Sequence, residues 1–294
     1  MKHIKWLLCF LLILTGCSSS PKESTKLKIL CPSGAPSLAL TNIYDEHEVT
    51  IVDGTDLLIA ELSKENSNYD IIIAPINLGT KLISTKETNY RLESILTWGN
   101  LYLVGESEES LNQIGEISLF GNGAVPEKIY NNSNIQTTLT PNYYNAGNLV
   151  QSQLLLQKVK VGLLAEPLAS ATILKAKEEG IELNIIKDLQ EEYAKVKGLE
   201  YGYPQAAIFI KDHKKVSKVL QKIEDYSKSG FEGIKKYIDA IGVETLKLPN
   251  ANITLQSLPK QNINYKKAKD CIEDIQLLLQ EFNITFETSM MINE

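Results

Sequence analysis

The chain has 294 residues, of which 43% are hydrophobic, and its 30 Lys and Arg against 36 Asp and Glu give a formal net charge of −6. This length is sufficient for one large domain or two medium ones with their own cores. We expect no nucleic-acid partner, because no basic stripe with interleaved aromatic side chains is visible. Arg91 is the only arginine, so the side chain that most often clamps carboxylates and phosphates is nearly absent.

The N-terminus carries a short apolar segment behind a basic start that includes Lys2 and Lys5. Residues 4–14 give about ten apolar positions, against roughly 20 for a helix that crosses a bilayer. The step Leu-Thr-Gly-Cys that ends at Cys17 resembles a bacterial lipobox, in which the cysteine carries diacylglycerol and becomes the first mature residue. An ordinary signal peptide with a chance cysteine is the alternative.

The lipobox resemblance implies a lipoprotein signal peptide over residues 1–16 and a lipid-modified Cys17, with palmitate among its acyl chains. Residues 17–26 are polar and serine-rich, which is typical of a flexible tether. We therefore predict an extracytoplasmic protein, anchored to the bacterial cell membrane by lipid.

Few residues are suited to disulfide or metal chemistry. Apart from Cys9 and Cys17, the chain has only Cys31 and Cys271, and a disulfide between them is possible outside the cell. Their spacing leaves that question open. His47 and His213 stand without cysteine or carboxylate at ligand spacing, so we expect no metal and no cofactor.

Strand and helix patterns alternate along the first two thirds of the chain, which predicts α/β architecture with parallel strands. The apolar run over residues 69–75 is typical of a strand that is buried on both faces. Predicted strands lie at 27–30, 48–54, 69–75, 96–105, 116–121, 161–165, 182–189 and 206–211, and predicted helices begin near 37, 55, 77, 124, 148 and 166. Beyond residue 211 the pattern is purely helical, with apolar stripes that indicate core faces.

Four segments in a fixed order carry a resemblance to a known family. They are the strand, turn and helix start over 27–37, IIIAPIN at 71–77, LAEPLAS at 164–170 and GYPQAAIFIK at 202–211. With them, the chain over about residues 27–285 resembles the substrate-binding lipoproteins of ABC importers. The similar branch contains the nitrate, sulfonate, taurine and thiamine-precursor binders.

This resemblance implies a type II periplasmic-binding-protein fold with two α/β lobes and two hinge crossovers, near residues 101–105 and 205–210. It also implies a helical C-terminal segment packed on lobe one. Lobe one would comprise residues 27–103 and 208–294, and lobe two residues 104–207. Such a monomer would capture a small molecule between its lobes and deliver it to an ABC permease and ATPase.

The candidate ligand residues lie in turns that follow strands, because ligands of open α/β sheets bind beyond the carboxyl ends of the strands. Tight-turn geometry and helix capping are the structural alternatives, above all for the possible caps Thr55 and Asn77. Four such turns supply the candidates Ser33, Gly34, Ala35, Ser37, Thr55, Pro75, Asn77, Asn122, Gly123 and Ala124.

Three further candidates are a carboxylate and two aromatic side chains. Glu166 directly follows a strand and could accept hydrogen bonds from a ligand or favour a helix start. Tyr203 lies at the return crossover and could close over a ligand. Trp98 could stack on a ligand, although a core or surface position is the structural alternative that we favour for it. Without arginine in the turns, these residues favour a neutral or cationic small molecule, aromatic ones included.

Two other classes of protein are alternatives to a transport-related binding protein. An extracytoplasmic enzyme would need an activated nucleophile, yet no G-x-S-x-G occurs and His47 and His213 lie in charged stretches. We therefore expect no enzymatic activity. A tethered sensor or adhesin with the same fold stays an alternative, because transport and sensing place the same demands on the sequence.

Overall fold

The computed structural model of the protein describes residues 26–293. The predicted signal peptide, the lipidation site Cys17 and all but the last residue of the predicted tether lie outside the described residues. Within the described part, no helix combines the length and the hydropathy that a membrane span requires.

Strands and helices alternate as far as β10, as the sequence predicts, except that β4, β5 and β6 follow one another without an α-helix between them. The strands are β1 Lys28–Pro32, β2 Glu48–Val52, β3 Ile71–Pro75, β4 Arg91–Thr97, β5 Leu101–Gly105, β6 Glu116–Phe120, β7 Thr140–Tyr144, β8 Val161–Ala165, β9 Asn184–Asp188, β10 Ala206–Ile210 and β11 Ile263–Lys267. The helices are α1 Ala35–Leu38, α2 Asp56–Ser63, α3 Ile76–Ser84, α4 Val125–Asn132, α5 Gly147–Leu155, α6 Leu168–Glu178, α7 Leu189–Lys197, α8 His213–Lys228, α9 Ile234–Ile241, α10 Ala251–Ser257 and α11 Ile272–Gln280.

The first sheet has six strands in the order β11-β4-β10-β3-β1-β2. Strands β1, β2 and β3 run parallel, whereas β10 pairs antiparallel with both β3 and β4. The apolar run in β3 is buried on both faces: Ile72 belongs to one core cluster, and Ile71 and Ile73 belong to the other. This confirms the doubly buried strand that the sequence predicts, because helices cover both faces of the sheet.

The second sheet has five strands in the order β7-β6-β8-β5-β9. Strands β6, β7 and β8 are parallel, and β5 runs antiparallel between β8 and β9. Each sheet thus combines parallel strands with one antiparallel strand that adjoins a crossover. This strand is β10 in the first sheet and β5 in the second. The two sheets confirm the predicted α/β fold with two lobes and two crossovers.

The chain changes sheets over residues 98–100 and again between α7 and β10. The strand predicted over 96–105 is therefore two strands in different sheets, since Gly99, with φ +85°, breaks the extended backbone between them. Residues 101–103 pair with β8 in the second sheet, and Ala206 and Ala207 pair with β3 in the first. The lobe boundaries expected at 103/104 and 207/208 fall inside β5 and β10, a few residues from the change of sheet.

The C-terminal segment is not purely helical, so that prediction was wrong. It contributes β11, which pairs antiparallel with β4 at the edge of the first sheet. Ile263 and Tyr265 in β11 are buried while Asn264 and Lys266 are exposed, an alternation typical of a strand with one solvent face. Helix α7 and the edge strand β7 are also present in the structure but were not predicted from the sequence.

The two described cysteines are free and do not form the disulfide that the sequence left open. Cys31 and Cys271 are both buried. Cys31 packs in the core cluster on one face of the first sheet, and Cys271 packs in the other cluster. Burial raises the pKa of the Cys271 thiol to about 12, which keeps it protonated and unreactive near neutral pH.

Candidate functional site

The first lobe presents its turns at the common carboxyl edge of β1, β2 and β3. Gly34, with φ +88°, lets the chain turn sharply into α1. The Ser37 hydroxyl donates to the Gly34 carbonyl at 2.8 Å, and the Ser33 amide donates to the Val52 carbonyl at 2.9 Å. Ala35 is buried beneath this turn. The hydroxyl of Ser37 thus stabilises the turn itself.

Asn77 lies in the first turn of α3, directly after Pro75 and Ile76. The backbone there is tied to the second crossover, because the Ile76 amide donates to the Gln205 carbonyl at 2.9 Å. Asn77 is only 6% exposed, and its Oδ1 has no hydrogen-bond partner among residues 26–293. A buried amide oxygen of this kind is costly unless something donates to it.

Thr55 precedes α2, but its side chain makes no capping hydrogen bond. Beside it, Asp53 forms a salt bridge with Lys247 at 2.6 Å. The hydrogen bond from Lys247 lowers the pKa of Asp53. Sequence reasoning missed Lys247, which lies 194 residues away from its partner.

The second lobe presents the loop 121–124 and Glu166 at the carboxyl edge of β6 and β8. Asn122 and Gly123 are exposed, and Ala124 directly precedes α4 at its N-cap position without a side-chain capping hydrogen bond. The Gly123 amide donates to the Glu127 Oε2 at 2.5 Å. Glu127 was not among the sequence candidates, although a glutamate in the first turn of a helix is a recognisable capping signal.

Glu166 is 2% exposed and hydrogen-bonded on both carboxylate oxygens. The Ser170 amide donates to Oε2 at 3.1 Å and the Ser170 hydroxyl donates to Oε1 at 2.7 Å. Burial raises the pKa of Glu166, and these bonds from Ser170 oppose the shift. The geometry is that of a side chain that caps α6, while its remaining lone pairs can still accept from another donor.

Asn100 in the first crossover is fixed against Glu166 by two hydrogen bonds. Its carbonyl accepts from the Glu166 amide at 2.9 Å, and its Nδ2 donates to the Glu166 carbonyl at 3.0 Å. Asn100 is 7% exposed, and its Oδ1 is unpartnered in the described part of the chain. The Gln205 Oε1 in the second crossover is also buried without a hydrogen-bond partner in the described residues. No local sequence pattern points to Asn100.

Trp98 and Tyr203 are enclosed where the two crossovers run side by side. The Trp98 Nε1 donates to the Asn264 carbonyl at 2.7 Å, and the Lys266 ammonium lies 4.4 Å from the centre of the Trp98 ring. Tyr203 is fully buried, and its hydroxyl donates to the Gln190 Oε1 at 3.3 Å. Both aromatic side chains already have protein partners.

The structure therefore places the candidates at the carboxyl edges of the two sheets and in the crossovers that join the sheets. The turn residues and Asn77 lie on the first sheet, residues 122–124 and Glu166 on the second, and Trp98 and Tyr203 between the sheets. Over residues 26–293, no group of three His, Cys, Asp or Glu side chains is placed to hold a metal.

No protein-family model and no curated protein matches the chain. Among solved structures, an ABC transporter from Parabacteroides distasonis is similar, with 20% identity over 92% of this chain and 99% of that chain and a TM-score of 0.78. The aliphatic sulphonate binding protein SsuA from Escherichia coli has 13% identity over 90% of this chain and 87% of its own, with a TM-score of 0.61. The nitrate-binding protein NrtA from Synechocystis has 10% identity over 90% and 84%, with a TM-score of 0.58. The chain thus has the two-lobe fold of the periplasmic substrate-binding proteins of ABC importers.

Proposed function

We propose that the protein is an extracytoplasmic solute-binding protein that captures a small molecule between its lobes and delivers it to an ABC permease and ATPase. The observation that carries this proposal is the fold, which matches an ABC transporter structure over 92% of this chain with a TM-score of 0.78. The topology supports it, since the candidate turns of both sheets follow the carboxyl ends of parallel strands, where ligands of α/β sheets bind. No catalytic role is proposed for the cleft.

The proposed ligand site comprises the sequence candidates at the two edges, with Glu166 as the acceptor in lobe two. We place the lobe boundaries at the change of sheet, over residues 98–100 and 198–205. The ligand is proposed to be a neutral or cationic small molecule, because the only arginine donates to the Thr88 and Tyr90 carbonyls at the start of β4. The Asp53 carboxylate already neutralises Lys247 at the first edge.

Closure of the lobes around ligand is the direct test of this function. Ligand is expected to reduce the radius of gyration of the purified full chain in small-angle scattering, as in other hinged two-lobe proteins. Trp98 emission is expected to shift in the same titration, because Trp98 joins the first crossover to Asn264. Candidate molecules are first identified by native mass spectrometry of the protein as purified. A ligand that binds in calorimetry without changing either signal would contradict the hinged model.

Membrane anchoring through Cys17 is proposed from the lipobox resemblance. Cys17→Ala is expected to release the protein from the membrane fraction or to block its processing, because the thiol is the only group that could take the lipid at this position. Fractionation and immunoblotting of cells that express each form measure this, and Cys9→Ala serves as the control. Unchanged membrane retention of the Cys17 variant would end the lipoprotein proposal.

A further inference from the structure

Two carboxylates lie at the cleft edge of the second lobe, and the sequence candidates include only one of them. Ser118 pairs with Gly162 in the parallel pair β6 and β8. Asn122 and Glu166 each follow their paired residue at the same distance along the chain, so both leave the sheet at the same edge. Glu127 is bonded to the loop that contains Asn122, through the Gly123 amide.

Glu127 also lies next to an aromatic hydroxyl at this edge. Burial raises the pKa of Tyr143, and the charge of the neighbouring Glu127 raises it further. The carboxylate thus occupies the loop amide that a bound oxyanion would need, and it places a negative charge beside it. Two carboxylate oxygens offer about four acceptor sites, so Glu127 can hold the Gly123 amide and still accept from a ligand.

Buried amide oxygens in the first turn of α3 and in the first crossover add a second, independent indication. Asn77 and Asn100 are 6% and 7% exposed, and the Oδ1 of each is unpartnered within residues 26–293. The orientation of the Asn100 amide is fixed, because its Nδ2 donates to the Glu166 carbonyl at 3.0 Å. Its oxygen is therefore the atom that is left to accept a hydrogen bond.

The lysines near these edges do not offset the negative charge of the carboxylates. Lys247, at the edge of the first sheet, is already paired with Asp53 at 2.6 Å. Lys260 is close enough for its charge to lower the pKa of Glu166, which burial raises more strongly. The carboxyl edge of the second sheet thus carries two carboxylates, and Lys260 is the lysine whose charge acts on Glu166.

We infer that the cleft selects a cationic ligand with several N–H donors, such as an amidine, guanidinium or amine, and that Glu127 is a specificity-determining residue that excludes oxyanions. This inference rests on the proposed solute-binding function and deepens it. A ligand N–H donor would satisfy the amide oxygens, and its charge would pair with Glu127 and Glu166. A carboxylate or sulfonate would meet acceptors only.

Three probes of nearly the same shape separate charge from size: benzamidine, benzamide and benzoate. Calorimetry with the purified full chain is expected to give binding in that order, with benzamidine tightest and benzoate undetectable. Native mass spectrometry of the protein as purified gives a check that does not depend on the probes, and any retained ligand is expected to be a cation. Benzoate binding as tight as benzamidine, or a retained anion, would overturn the inference.

Glu127→Gln tests the assigned residue, because a glutamine oxygen can still accept from the Gly123 amide while the charge is lost. Benzamidine binding is expected to weaken about tenfold to a hundredfold, the usual range for a lost charge-assisted hydrogen bond, with benzamide little affected. Glu87→Gln is the matched control, since Glu87 is an exposed carboxylate beyond the far end of α3. Equal benzamidine affinity in the wild type and the Glu127 variant would show that Glu127 only caps α4 and would refute its role.

The outcomes also separate this inference from the function on which it rests. An anion that binds and closes the lobes would leave the solute-binding role intact and disprove the selection for cations. If no probe binds at millimolar concentration and no small molecule is retained on purification, both the inference and the proposed function are wrong. A retained cation without benzamidine binding would support the charge selection through a differently shaped ligand.

Discussion

Gly202→Ala is expected to destabilise the protein by about 3 kcal/mol, the sum of a left-handed backbone penalty and a steric overlap. Gly202 has φ +77°, and a Cβ at this position would lie 2.5 Å from the Trp98 carbonyl oxygen. That oxygen belongs to the other crossover and accepts from the Tyr203 amide at 3.4 Å. The overlap cannot be relieved by rotation of a side chain, so the two crossovers must separate.

Chemical denaturation, followed by far-ultraviolet circular dichroism, measures this loss. Gly198→Ala is the matched control, because Gly198 has φ +71° and a Cβ there meets nothing within 4 Å. It carries the backbone penalty alone, about 1 kcal/mol. Equal losses in the two variants would mean that the crossovers can separate without cost, and the close approach at Gly202 would then have no energetic role.

Gly79→Ala is expected to lower both stability and ligand affinity, because α3 positions Asn77. Gly79 is inside the helix, where alanine is favoured over glycine by about 1 kcal/mol. A Cβ there would lie 2.2 Å from the Phe209 Cζ, with further ring carbons at 2.5 and 2.6 Å. Overpacking of this kind costs typically about 1–3 kcal/mol. Because the three ring contacts are all far below contact distance, we expect the upper end of that range, a net loss of up to about 2 kcal/mol, and a displaced first turn of α3.

Phe209→Leu tests the cause, since it removes the ring that the new methyl group would meet. The double variant is expected to be more stable than the sum of the two single losses predicts, as for residues in direct contact. Gly147→Ala is the control, because its Cβ would meet the Leu168 Cδ2 at 3.3 Å and the Phe120 Cε1 at 4.0 Å, without the overlap found at position 79. Additive losses in the double variant would show that Phe209 does not transmit the effect of position 79.

The sequence by itself determined the architecture, because the signals for it are local. The alternation of strand and helix patterns and the apolar run of β3 each depend on neighbouring residues, whose spacing decides which faces can be buried. The turn glycine Gly34 and the helix start at Pro75 and Asn77 are readable in the same way. The candidate turns consequently lie at the two sheet edges where the sequence placed them.

The tertiary structure decided the elements whose patterns are weak. Strand β7 contains Pro141 and forms only because it lies at the edge of its sheet, where a missing amide is tolerated. Strand β11 is half polar, and its partner β4 precedes it by more than 160 residues. Local propensity favours neither element strongly, and pairing with a distant strand supplies the missing hydrogen bonds.

The polar contacts of the candidate site could not be predicted from local sequence patterns either. Lys247 is paired with Asp53 across 194 residues of chain, and Asn100 is held against Glu166 across 66. Neither pairing has a spacing that a helix or strand period could reveal. The sequence thus determined which segments form the two lobes. The packing of distant segments decided which side chains are buried, paired or without a hydrogen-bond partner among residues 26–293, because desolvation and hydrogen bonding depend on neighbours in space.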